Sequence, residues 1–173
     1  MTNPTLETLK TRRSVRSYLP KQVDEEALQA ILEAGTYAAT GMNRQSPIIV
    51  CVQDPAARET LRRMNAAVMG SDGDPFYGAP TVLVVLADKA IRTCVEDASL
   101  VIGNLMNAAF SVGVDSCWIH RAKEEFESDE GKALLASWGI DGDYVGVGHL
   151  ILGYRDGELP VTRPRKENYI YRV

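Results

Sequence analysis

Residues 81–86 form an uninterrupted run of apolar and β-branched side chains, Thr-Val-Leu-Val-Val-Leu. Such a strand is typical of the centre of a sheet covered on both faces, because a strand with one wet face alternates polar and apolar residues. The rest of the chain must then supply helices for both faces of this sheet. The order of the remaining patterns predicts two helices, then four strands alternating with helices in a mixed sheet, and finally an extended tail.

The individual elements follow from local patterns. Asn3 before Pro4 is typical of a helix start. Apolar spacing predicts a helix from Pro55 with Val68 on its buried side, and a longer helix over residues 91–112. A helix over residues 128–138 is expected to follow an acidic loop. The other predicted strands are residues 48–53, 114–119 and 144–154.

Length and charge exclude several classes of protein. A chain of 173 residues is sufficient for one domain, which we expect to span residues 1–173. The net charge of −4 argues against a nucleic-acid-binding protein. No apolar run approaches the roughly 20 residues of a membrane helix, so we expect no membrane association. The first residues lack a signal-peptide pattern, and we therefore expect a cytoplasmic protein.

The potential metal ligands are few and scattered. Cys51, Cys94 and Cys117 are far apart and flanked by apolar residues, which predicts reduced thiols in the core. The histidines are His120 and His149. His149 alternates with apolar residues and is expected to be a satisfied core group. This distribution predicts no metal site.

The two ends of this acidic chain are basic. Arg12, Arg13, Ser14 and Arg16 set three guanidinium groups and a hydroxyl close together, and such donors suit phosphate oxygens. The last nineteen residues hold a second basic cluster, which consists of Arg155, Arg163, Arg165, Lys166 and Arg172. If the two ends meet in space, they form one anion pocket.

A polar loop between the second helix and the first strand supplies other donors and acceptors. Within it lie Thr40, Gly41, Asn43 and Gln45. The two amide side chains suit a ring that carries both carbonyl and N–H groups, although a plain connection between elements has the same composition.

Four segments together resemble the flavin-dependent nitroreductase family: residues 12–16 (Arg-Arg-Ser-Val-Arg), 39–45, 108–119 and 163–166. The resemblance implies an α+β fold, a three-layer α-β-α sandwich with a mainly antiparallel sheet flanked by helices. It also implies an intertwined homodimer with tightly but non-covalently bound FMN at the subunit interface.

The resemblance assigns roles to individual residues. Arg12, Arg13 and Ser14 match positions that hold the FMN phosphate and ribityl chain, and Arg163 and Arg165 match the second half of this clamp. Arg16 matches a basic residue near N1 and the C2 carbonyl of the flavin. The remaining cofactor positions are contacts from the partner subunit at Thr40, Gly41, Asn43 and Gln45, and a segment along the ring near N5 at Ile119 and His120.

The activity implied by the resemblance is ping-pong hydride transfer from NAD(P)H through flavin N5 to a nitroaromatic, a quinone or a similar small acceptor. No catalytic side chain is required, although His120 is a candidate proton donor. Three alternatives stay open: another reductive activity of the superfamily, such as dehalogenation or flavin degradation; a non-catalytic FMN carrier or sensor; and a protein whose basic patch binds a nucleic acid or a phosphoprotein.

Overall fold

The computed structural model describes residues 1–173 as six α-helices and four strands. Their bounds in chain order are α1 Pro4–Thr11, α2 Glu25–Thr36, β1 Pro47–Val52, α3 Pro55–Met69, β2 Thr81–Asp88, α4 Cys94–Ser111, β3 Asp115–Ile119, α5 Ala122–Glu127, α6 Asp129–Ser137 and β4 Tyr144–Gly153, with a 3₁₀ turn over Gly41–Asn43. No helix is both long and apolar enough to cross a membrane.

The strands form one sheet in the order β1-β2-β4-β3, and every neighbouring pair is antiparallel. The order of the elements predicted a mixed sheet, whereas the four strands pair only in the antiparallel sense. The parallel pairing present is an isolated bridge between Ser14 and Ser116. The prediction of a mainly antiparallel sheet flanked by helices is confirmed.

Two apolar clusters lie on opposite faces of β2. Val82, Val84 and Leu86 face one cluster, which includes residues of α3, α5 and α6. Leu83 and Val85 face the other cluster, which includes residues of α2 and α4. All of β2 except its last residue is buried, as its composition predicts. The sheet therefore lies between two helical layers.

Three expectations were wrong in detail. The supposed acidic loop is the helix α5, because Phe126 is buried against the sheet and fixes a local helix despite the surrounding charges. Val68 is 43% exposed, since spacing alone does not show where along α3 the covering layer ends. Of the three cysteines only Cys117 is buried; Cys94 is half-buried and Cys51 is exposed on the edge strand β1.

Two glycines of β4 let neighbouring groups approach the strand closely. A Cβ atom at Gly146 would lie 2.1 Å from the Ala122 carbonyl oxygen at the start of α5. A Cβ atom at Gly148 would lie 2.1 Å from Trp118 Nε1 on β3. Both distances are far below van der Waals contact, so α5 and the Trp118 ring pack directly against the β4 backbone.

Candidate functional site

The arginine segment, residues 12–18, follows α1 in the chain and runs along the outer edge of the sheet, beside β3. Val15 N donates to Ser116 O at 3.1 Å, which joins the segment to β3. The Tyr18 hydroxyl donates to Val15 O at 2.8 Å. Val15 and Tyr18 are buried, whereas Arg16 points to solvent. Buried residues thus fix the backbone while the basic side chains stay accessible.

The basic ends of the chain converge on one cavity of about 320 Å³. It is lined by Arg12, Arg13, Ser14, Val161, Arg163 and Arg165. This is the convergence on which the anion-pocket prediction depended. Guanidinium groups and one hydroxyl line the cavity without any carboxylate, and this donor set fits the phosphate monoester of FMN.

Like charges crowd the inner wall of this cavity. The pKa of Arg12 lies below its usual value, because burial and the neighbouring Arg13 charge disfavour the charged form. Some of the hydrogen-bond donors of Arg13 are already used, since its Nη1 donates to the carbonyl oxygens of Lys10 and Arg12 at 2.8 and 2.6 Å. A bound dianion would remove the repulsion between the two guanidinium groups.

Cys117 lies beneath the arginine segment. Burial raises the pKa of its thiol, against the opposing influence of the Arg16 charge, a hydrogen bond from Ser14 and the Arg12 charge. The thiol is therefore protonated at neutral pH and behaves as a small core group.

The polar loop over residues 40–45 is held by a side chain that the sequence analysis did not single out. Asp97 Oδ1 accepts a hydrogen bond from Gly41 N at 2.8 Å, and its Oδ2 accepts one from Thr93 Oγ1 at 3.0 Å. Asp97 is only 3% exposed in the first turn of α4. An acid in a first helical turn is usually a dipole partner, so its position gave no signal of this contact.

The loop itself has an unusual backbone. Met42, Asn43 and Gln45 all have positive φ, between 51° and 54°. Gln45 N donates to Thr40 Oγ1 at 3.1 Å, and Gln45 Nε2 donates to Asn43 Oδ1 at 3.2 Å. The two amide groups predicted to contact a ring therefore already contact each other.

This loop lines a separate cavity. Gly41, Met42 and Arg44 border about 290 Å³ of space together with residues 90–93. No residue lines both this cavity and the arginine cavity. The loop and the arginine cavity, which both hold residues predicted to bind the cofactor, are thus separate within one chain, as expected if the loop serves a partner subunit's cofactor.

The end of β3 carries the other predicted positions. Ile119 is buried and His120 is exposed. The His120 ring stacks on Trp118 with 5.8 Å between centroids and an angle of 25° between planes. Arg121 follows with φ of 79°. The chain therefore turns sharply here and exposes the His120 side chain.

A buried polar network supports this turn. Asn65 Nδ2 donates to His120 O at 2.8 Å, and Asn65 Oδ1 accepts from Arg121 Nε at 2.9 Å. Asn65 Nδ2 also donates to Glu125 Oε1, which lies 2.9 Å from His149 Nε2. Asn65, Glu125 and His149 are at most 1% exposed. His149 is a core group as expected, but its Nδ1 has no partner, so it is only half satisfied.

Comparison with known proteins identifies the family. The model of the nitroreductase family matches residues 9–72 and 69–154. A protein of Archaeoglobus fulgidus with the provisional name NADH dehydrogenase/NAD(P)H nitroreductase is 30% identical over 158 residues, 88% of this chain and 86% of its own.

Solved structures agree over the whole chain. A nitroreductase of Bacteroides fragilis with bound FMN superposes with a TM-score of 0.91 at 33% identity, over 99% of this chain and 100% of that one. A nitroreductase of Desulfitobacterium hafniense with bound FMN gives 0.88 at 25% identity, over 99% and 100%. The resemblance found in the sequence is confirmed, and the chain belongs to the nitroreductase family.

Proposed function

We propose that this protein is an FMN-dependent oxidoreductase that transfers hydride from NADH or NADPH to a nitroaromatic, a quinone or a similar small acceptor. The observation that carries the proposal is the arginine cavity, where the two ends of the chain place four guanidinium groups around one space. The FMN in the two neighbouring structures and the name of the Archaeoglobus fulgidus relative support it.

At the phosphate end, Arg12, Arg163 and Arg165 supply charged donors and Ser14 supplies a neutral one. Charge-assisted hydrogen bonds of this kind contribute about 1.5–3 kcal/mol each. Arg13 keeps its Nε and Nη2 donors for the phosphate, because both of its hydrogen bonds within the chain use Nη1. These residues bind and orient the phosphate and take no part in electron transfer.

At the ring end, bound FMN supplies the redox chemistry by accepting hydride at N5 and passing it on. Arg16 is two residues beyond Ser14 and has no partner within the chain other than the Tyr77 ring, 6.0 Å from its Cζ. It therefore keeps its donors for the N1 and C2 carbonyl edge, where negative charge develops. The backbone at Ile119 and His120, which Asn65 holds in place at His120 O, would border the N5 side of the bound ring.

The assembly we propose is a homodimer. Residues 159–173 form no helix or strand, and Tyr169, Ile170 and Tyr171 are 69–80% exposed. A groove of about 480 Å³ lies between α1 and α4, lined in part by Leu9 and Ala108. Exposed apolar side chains grouped in this way favour contact with another protein surface. A partner subunit would also bring its loop over residues 40–45 to the cofactor.

The experiment that tests this function compares two flavins. Riboflavin has the same ring as FMN but lacks the phosphate. We expect the apoprotein to bind riboflavin at least about tenfold more weakly than FMN, with the difference shrinking at high salt. Arg62 pairs with Glu59 on α3, away from the cavity. Its replacement is a control for the loss of an arginine elsewhere in the protein and should leave the affinities for both flavins unchanged. Equal affinity for the two flavins would contradict the proposal.

A further inference from the structure

Tyr77 occupies a turn whose backbone is unfavourable for a tyrosine. The turn precedes β2 and is closed by a hydrogen bond from Ala79 N to Phe76 O at 2.9 Å. Both central residues, Tyr77 and Gly78, have positive φ, 52° and 75°. Glycine, asparagine and aspartate are the usual residues in such turns, and a bulky side chain is strained there. The tyrosine is therefore not explained by the needs of the turn.

The turn keeps its shape through other residues. Asp74 Oδ1 accepts from Phe76 N at 2.8 Å, and Asp74 Oδ2 accepts from Gly78 N at 2.9 Å. Arg58 joins the same carboxylate through Nη2 at 2.7 Å and donates from Nε to Ala79 O at 2.7 Å. These contacts come from side chains and backbone groups other than the Tyr77 ring, so the ring is not required to form the turn.

The Tyr77 ring is presented at the surface beside Arg16. It is 42% exposed, and its hydroxyl makes no hydrogen bond within the chain. Its centroid lies 6.0 Å from Arg16 Cζ, which is within the range of a cation–π contact. The backbone of Arg16 is fixed by the hydrogen bonds at Val15, but its long side chain has no other partner. The ring is thus the group that restricts where this guanidinium lies.

We propose that Tyr77 is a positioning residue for Arg16. A guanidinium held over a ring, here at the outer limit of a cation–π contact, keeps its in-plane N–H donors free for the carbonyl edge of a flavin bound at the site. The inference rests on the proposed function, because it assigns Arg16 to that edge. It explains why the strain at Tyr77 is tolerated: the ring lowers the conformational freedom of Arg16 before any ligand binds.

The first test uses the FMN-free protein and a matched pair of variants. Tyr77→Phe keeps the ring, whereas Tyr77→Asn removes it and suits the positive φ of the turn. In NMR spectra, the Arg16 Nε–H signal, assigned by its loss in Arg16→Lys, should shift in Tyr77→Asn and stay in place in Tyr77→Phe. The melting temperature of Tyr77→Asn should equal or exceed that of the wild type. An unchanged Arg16 signal in Tyr77→Asn would overturn the proposal, whether or not the protein binds FMN.

The second test measures the affinity for reduced FMN relative to oxidised FMN. We expect this ratio to fall about tenfold in Tyr77→Asn, which equals about 30 mV in the midpoint potential of a two-electron couple, and to be retained in Tyr77→Phe. In an Arg16→Ala background, Tyr77→Asn should have no further effect. An equal effect of Tyr77→Asn in both backgrounds would show that the ring acts directly on the flavin and would overturn the positioning role. Absence of FMN binding by the wild type would instead refute the proposed function.

Discussion

Asn65 joins α3 to the turn after β3, and its replacement should be among the most damaging single changes away from the cofactor. Asn65→Ala removes the hydrogen bonds to His120 O, Arg121 Nε and Glu125 Oε1. The Arg121 side chain is half-buried and can turn to solvent. Glu125 is 1% exposed and cannot turn to solvent, so it would keep only His149 Nε2 as a partner for its buried carboxyl group. A buried group without its partner costs about 1–3 kcal/mol, and the cavity costs about 1 kcal/mol more. We therefore expect a loss of about 2–4 kcal/mol.

A second substitution makes the same prediction sensitive to pH. Asn65→Asp has nearly the same shape, and its protonated form can donate to Glu125 and accept from Arg121. Burial at this fully enclosed position and the neighbouring Glu125 both disfavour ionisation of the new carboxyl group. They outweigh the half-buried Arg121 charge, so its folded pKa should be raised. Because the folded pKa is raised, the Asn65→Asp variant loses no stability through this ionisation below about pH 4, the pKa of an aspartate in the unfolded chain. Above that pH its free energy of unfolding falls by about 1.4 kcal/mol per pH unit, up to the folded pKa.

The assay is urea denaturation at pH 4.5 and pH 8 with the protomer concentration held constant, since association changes the apparent stability. Thr60→Ala, at a half-buried position of the same helix where the hydroxyl bonds only the Ala56 carbonyl, is the control and should change stability by less than about 0.5 kcal/mol. A loss below about 1 kcal/mol in Asn65→Ala would refute the reasoning. So would a loss in Asn65→Asp that is equal at both pH values.

Four further outcomes are expected. Arg12→Ala should weaken FMN binding by about 1.5–3 kcal/mol in a dialysis titration, and unchanged affinity would exclude the contact. Arg16→Ala should lower turnover more than FMN affinity, a role refuted by equal turnover per bound flavin. His120→Ala should leave the pH–rate profile unchanged, because a substrate at the solvent-accessible end of β3 can take its protons from water. Loss of an ionisation from the pH–rate profile would make His120 the proton donor. Burial alone would raise the pKa of Asp74, but hydrogen bonds from Arg58, Gly78 and Phe76 outweigh it and leave the pKa below its usual value. The stability from this ion pair is therefore lost as the pH falls through that pKa, and the melting temperature of Asp74→Asn should depend less on pH in acid than that of the wild type.

The sequence was informative where one local pattern determines the outcome. The apolar run of β2 predicted a strand covered on both faces, and the basic clusters at both ends predicted an anion pocket once those ends were assumed to meet. The apolar run and each basic cluster are contained in single segments, whereas the contact between the two ends is a distant one that had to be assumed. The family resemblance then ordered these segments into one fold.

The features that the sequence did not reveal depend on contacts between distant segments. Asn65 and Glu125 are 60 positions apart in the chain, and neither carries a local sign that they share a hydrogen bond. Asp97 resembles an ordinary first-turn acid until the loop at Gly41 packs against it. The positive φ of Tyr77 is equally hidden, because tyrosine is a residue that such a turn would not be expected to contain.

The central claim is that this member of the nitroreductase family uses bound FMN to carry electrons from a nicotinamide donor to a small acceptor. It is tested most directly by the visible absorbance of the FMN-loaded protein under anaerobic conditions, with NADH and NADPH added in turn. The account predicts that at least one donor bleaches the flavin absorbance and that a quinone or nitroaromatic then restores it. A flavin absorbance that neither donor changes would contradict the account.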